Sequence, residues 1–134
     1  LQALSINDKI FIIHYQLALA YLALGEFENA KKFFFSCLEK NNKFTTADRM
    51  LSTFIDYENN KEHINSMEIK LKDSLINQNQ KSELYFALGK AYDDLKDFDK
   101  SFENYNLGNQ IKEKLSKYDF DKDKKLFKSI KNFF

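Results

Sequence analysis

The chain contains no proline and only three glycines in 134 residues. Proline removes a backbone donor and clashes with the preceding helical turn, so without it long helices can run uninterrupted, and a proline-rich linker is excluded. Gly25, Gly89 and Gly108 stand singly. There is therefore neither a flexible glycine-serine linker nor a glycine-rich loop that could cradle phosphates. One cysteine, Cys37, excludes an internal disulfide and a cysteine zinc site. The two histidines, His14 and His63, lie far apart, and no nucleophile motif accompanies either. Arginine occurs once, as Arg49, and the abundance of lysine, asparagine, isoleucine and phenylalanine reads as codon bias. A net charge of +1 argues against a general nucleic-acid binder, which needs surplus cations to neutralise phosphates. The most apolar run, Ile10–Leu24, holds His14 and Gln16. It is too short and too polar for a membrane span and reads as a buried core helix.

What is present is a pattern. From Ser82 to Lys112, Tyr85, Leu88 and Tyr92 fall at i, i+3 and i+7, one stripe of a helix. Gly89 and Ser101 are small enough for two helices to cross closely. Asp97 suits the N-cap of the second helix, which carries Phe98, Phe102 and Tyr105. The same slots recur 71 residues earlier as His14, Leu17, Ala18, Tyr21, Ala30 and Phe34, with Cys37 where Gly108 stands later. Gly25 occupies the first turn and Lys96 the second. An aromatic, Leu-Gly, Tyr, a small residue and an aromatic at these spacings resemble the 34-residue tetratricopeptide repeat. A shift of 71 is two such periods plus three residues, which predicts a middle repeat with a small insertion. The resemblance implies an all-α solenoid of antiparallel helix pairs in a right-handed superhelix.

In chain order, residues 1–6 read as the end of a preceding repeat, which with the initial Leu1 suggests a piece of a longer array. Residues 7–43 form a repeat, with Asp8 capping a helix over Lys9–Leu24 and a second over Phe27–Lys40. Residues 44–81 form a divergent repeat. A capping-box-like Thr45-Thr46-Ala47-Asp48 opens its helix Thr46–Tyr57, and a second helix follows over Lys61–Ile76. Residues 82–116 form the last repeat. A break at Ser116–Phe120, with Asp121 as cap, separates a terminal helix within 117–134. Seven helical segments and no strand are expected. Because Ile10–Leu24 is apolar on every side, it is expected to be the most buried of them.

Ala47-Asp48-Arg49, Phe86–Ala91 with Asp94, Ser101-Phe102, Gly108-Asn109 with Lys112, and then Leu126–Phe134 follow one another in an order that resembles the repeat region of bacterial tetratricopeptide-containing sulfotransferases. The resemblance covers roughly Phe44–Phe134. It implies a scaffold that presents an acceptor to, or braces, a catalytic domain using a PAPS-type donor. The glycine-containing loop that would grip the donor's phosphate is absent from the chain, so no catalytic, cofactor-binding or metal residue carries over and no cofactor is expected. The alternative is a stand-alone adaptor that binds a peptide or partner protein. Either way the expected partner is a protein, a peptide or an attached sulfotransferase domain, not a nucleic acid or a membrane, and the expected location is the cytoplasm. First helices of such repeats line the concave face, so the candidate contacts are Ile12, Tyr15, Leu19, Leu22, Phe86, Lys90 and Asp93. The slots of Tyr15, Leu19, Phe86 and Lys90 do not resemble the Lys/Asn set that clamps a C-terminal carboxylate.

Other chemistry-bearing residues have plainer readings. His14 fills a packing slot, and His63 near a helix start suits the surface or a cap. Cys37 suits a small buried position. Asp93, Asp94, Asp97 and Asp99 lack the oxygen spacing of a calcium loop and read as solvated helix ends. Between Lys112 and Lys131, eight lysines face four acids, a solvated stripe.

Overall fold

The computed structural model describes the backbone of residues 6–133 and the side chains of residues 9–130. Six helices follow one another: α1 (Ile6–Ala23), α2 (Phe27–Lys40), α3 (Thr45–Ser52), α4 (Lys61–Leu71), α5 (Gln78–Asp94) and α6 (Phe98–Phe133). Among the described residues there is no strand.

The two outer hairpins, α1–α2 and α5–α6, are closed by the same turn. Gly25 adopts φ +76° and Lys96, 71 positions later, φ +62°. In the first turn Glu26 N–H donates to the Tyr21 carbonyl at 2.9 Å and Gly25 N–H to Leu22 at 3.0 Å. In the second, Asp97 N–H donates to Tyr92 at 2.9 Å and Lys96 N–H to Asp93 at 3.0 Å. This is a left-handed helix stop in which one 6→1 and one 5→2 bond satisfy the last carbonyls. Asp97 then accepts from Lys100 N–H at 3.3 Å, the cap expected of it.

The small residues sit at the crossings. Ala18 and Ala30 are fully buried between α1 and α2. Between α5 and α6, Ser101 donates to the Gly89 carbonyl at 2.7 Å. A Cβ on Gly89 would lie 2.8 Å from the Tyr105 ring, so no larger residue fits without a shift. The core runs through α2, α3 and α5: Phe34, Cys37, Leu51, Leu84, Ala87 and Leu88 are all fully buried. Helix α3 lies against α5 and also touches α2, while α4 rests on α5.

Several expectations change. The segment of residues 1–5 lies outside the described residues, and α1 begins at Ile6, ahead of the proposed Asp8 cap. Helix α1 is not the most buried. Ile12, Ile13 and Leu17 are 39–50% exposed, because α2 covers only one side of it. Most buried is α5, with six buried residues, since α3, α4 and α6 all pack on it. Helix α3 stops at Ser52 and α4 at Leu71, both shorter than the periodicity implied. No side chain caps α3. Thr45 and Thr46 donate instead to Glu83 of α5, at 2.9 and 3.2 Å. The break at Ser116–Phe120 does not exist: α6 runs straight through it, because that stretch has neither proline nor glycine to stop a helix.

Candidate protein-interaction site

The spacing of 71 divides into 34 and 37, and α3 falls at the intermediate step. Tyr15 of α1, Arg49 of α3 and Phe86 of α5 then occupy one slot, as do Leu19, Thr53 and Lys90, and as do Ile12, Thr46 and Glu83. The structure joins the α3 and α5 members of each set. Thr46 is bonded to Glu83, and Arg49, Ser52, Thr53, Phe86, Lys90 and Tyr105 line one open cavity of about 270 Å³. The guanidinium of Arg49 lies 4.8 Å from the Phe86 ring centre. That ring is fixed by Tyr105, 6.4 Å away, and by Gly108, whose missing side chain leaves room for it. Arg49 is exposed, and among the described residues no carboxylate lies within ion-pair distance of it. Its five N–H donors therefore remain available to a planar acceptor while the cation rests on an aromatic face. Lys90 is engaged, pairing with Asp94 at 2.7 Å one helical turn on. Burial, with the charges of Asp93 and Asp94, raises the Tyr105 pKa and keeps its phenol protonated.

Of the residues expected to make contacts, Phe86 and Lys90 line this cavity, and Asp93 is exposed nearby on α5. Ile12, Tyr15, Leu19 and Leu22 do not line it. Tyr15 packs edge-on against Phe34 and Phe44, with ring centres 5.8 and 4.9 Å apart. Burial and Glu83 raise its pKa. Leu19 and Leu22 lie half-buried against the core, and Ile12 is 39% exposed. Arg49, Thr53 and Tyr105 were not among the expected contacts. Carrying the slots of Tyr15 and Leu19 forward by 34 reaches Arg49 and Thr53, the signal that could have found them.

A second feature reverses the surface reading of His63. That residue is 3% exposed. Its Nε2 lies 2.8 Å from Asp48 Oδ1 and its Nδ1 2.9 Å from Tyr57 Oη. Lys70 Nζ donates to Asp48 Oδ2 at 2.7 Å. With Asp48 accepting from Nε2–H, Nδ1 is the acceptor for the Tyr57 hydroxyl. Burial, reinforced by Asp48 and Asp94, pushes the Tyr57 phenol far above its usual pKa, so it stays a donor. Asp48 and Tyr57 are fully buried, so the chain of groups clamps α3 to α4, with His63 and Lys70 alone reaching the edge of an open cavity. Beside it an open cavity of about 590 Å³ separates α2 from α4, lined by Phe35 and Leu38 on one side and Asn60, Ser66 and Lys70 on the other.

His14 and Cys37 take the packing places read for them. His14 packs edge-on against Phe33 at 5.7 Å. Cys37 is a free, buried thiol whose pKa burial and Asp48 push up to about 11, so it is protonated and unreactive at neutral pH. Among the described residues no three potential ligands could hold a metal ion, and no helix is long and apolar enough to cross a membrane.

The tetratricopeptide repeat profile matches residues 12–44 and 82–115, the two outer hairpins, together half of the chain. The chain belongs to the tetratricopeptide repeat family, and its repeats mark a scaffold for protein interaction. No curated protein and no solved structure matches it.

Proposed function

We propose that the chain is a protein-interaction module whose α3–α5 cavity holds an acidic side chain of a peptide or partner protein. One observation carries this: the unpaired Arg49 guanidinium is held over the Phe86 ring at the mouth of a cavity walled by three helices. A carboxylate reaching it forms two parallel charge-assisted bonds, while the partner's apolar side chains find Phe86 and the exposed face of α1. Selection from a random-peptide library on the immobilised chain tests the reading. Enriched peptides should contain an acid flanked by apolar residues, and Arg49→Ala should weaken their binding at least tenfold, about 1.4 kcal/mol. Peptides that bind the Arg49→Ala protein equally well would refute it.

The finer reading is that the partner is an attached sulfotransferase domain of a bacterial enzyme, which this region braces or supplies with acceptor. Its support is the motif order from Ala47-Asp48-Arg49 through Gly108-Asn109 to Leu126–Phe134. On this reading the module itself neither holds the sulfate donor nor transfers sulfate. Donor phosphates need backbone N–H groups behind a tight glycine turn, and transfer needs a base near the acceptor. Saturable micromolar binding of 3′,5′-ADP in a calorimetric titration would overturn that. A cytoplasmic location accords with a single reduced thiol.

A further inference from the structure

From Ser116 to Ile130 every residue of α6 is exposed. That half of the helix carries Tyr118, Phe120, Leu126, Phe127 and Ile130, each at least half exposed. A helical stretch of this length is marginal in water by itself and is stabilised by burying an apolar face. The same helix exposes Phe98 and Phe102 near its other end, at 64% and 73%. Phe120 and Phe127 follow Phe98 by about six and eight full turns, so all four rings share one face of α6. Asn109 and Ser116 occupy the middle of that face.

We propose that this face joins two copies of the chain through an antiparallel α6–α6 contact about a two-fold axis between Lys112 and Glu113. The register is self-complementary. Phe98 of one copy meets Phe127 of the other, Asn109 meets Ser116, and Phe102 enters the space between Phe120 and Phe127, over Asp123. A surface that pairs with itself in this way is what a closed two-fold interface requires.

Charge points the same way. Residues 1–111 hold thirteen cations against sixteen acids, whereas residues 112–134 hold eight lysines against four acids. Antiparallel pairing lays the basic end of one copy over the acidic end of the other. Asp99 and Lys124 flank the aromatic face on the same side, and antiparallel pairing brings Asp99 of each copy within reach of Lys124 of the other. A fully covered aromatic side chain buries roughly 150–250 Å². Covering four rings that are each about two-thirds exposed removes roughly 400–700 Å² per copy, or roughly 800–1,400 Å² in total, a range whose upper end meets the lower bound of about 1,200 Å² for a standard interface. The proposal uses none of the α3–α5 cavity, so it stands or falls independently of the function proposed above.

Sedimentation of the 134-residue chain at micromolar concentration tests it. The expected result is a dimer, and Phe120→Lys with Phe127→Lys should raise its dissociation constant at least about thirtyfold while circular dichroism shows the repeats still folded. Glu113→Cys should cross-link to itself across the axis on oxidation while Asn106→Cys, about two turns away on the same side of α6, should not; a parallel pair would link both. Lys124→Asp should weaken the dimer and Asp99→Lys in the same chain should restore it. A monomer at high micromolar concentration would overturn the proposal. So would a dimer unaffected by the double substitution, or a monomer that binds anionic vesicles through Phe120 and Phe127.

Discussion

Asp48 is the residue on which the middle of the molecule depends. Its two carboxylate oxygens are divided between Lys70 and His63, and neither oxygen has access to water. Taking a carboxylate and an ammonium out of water is costly, and their mutual attraction offsets the cost only while both are present. Asp48→Ala would leave Lys70 buried without a counter-charge and His63 without the acceptor that fixes its tautomer. It should destabilise the chain by about 3–5 kcal/mol in urea unfolding. Lys90→Ala removes an ion pair of similar length that is about a third exposed on the lysine side, and should cost under about 1 kcal/mol. Equal costs would mean that Asp48 is hydrated in solution. Nothing in the sequence distinguishes the two acids. Asp48 stands in a stretch that resembles a helix start, and its partners lie 15 and 22 positions away across a divergent repeat. Local patterning therefore placed Asp48 at a cap and His63 on the surface. Only the side-chain bonds between α3 and α4 show otherwise.

At the scale of elements, the two outer hairpins were legible because their signals are local and repeated. Small residues at Ala18, Ala30, Gly89 and Ser101 mark the crossings, and a turn residue with positive φ recurs 71 positions on. Steric demand at those crossings gives a direct test. Replacing Ala30 or Ser101 by Leu should overpack the contact and cost roughly 1–3 kcal/mol, and Ser101→Leu also removes the second donor to the Gly89 carbonyl. Leu at the neighbouring exposed positions Asn29 and Lys100 should cost less, as thermal midpoints can show. Equal shifts within each pair would mean that the repeat register is wrong. Helix ends were less legible. The periodicity of Thr46–Tyr57 and Lys61–Ile76 continues past the true ends, since Ile55, Tyr57 and Ile76 are buried from loops just as they would be from helices. The continuity of α6 was missed for the opposite reason: Ser116 and Asp121 suggested a break, but nothing there obliges a helix to end.

For the whole molecule, the repeats are not equivalent links. In a solenoid each unit contacts only its neighbours, so stability divides into the units and the interfaces between them. The outer hairpins here are joined by close backbone packing, α1 on α2 and α5 on α6, whereas the middle pair is joined chiefly through Asp48, His63 and Lys70. Helix α4 is short and packs closely only on α5, and the open cavity beside α2 leaves its other flank uncovered. Regions with few buried contacts open at a lower free energy than the global value. Amide hydrogen exchange should therefore show Lys61–Leu71 exchanging well before the buried turns of α5, while α2 keeps its protection through Phe34 and Cys37. Asp48→Asn keeps the volume but removes the charge that holds Lys70, so it should speed exchange in α4 more than in α1 or α2. If protection fell evenly along the chain instead, the six helices would unfold as one cooperative unit, and the side-chain clamp between α3 and α4 would be no weaker a link than the packed crossings on either side.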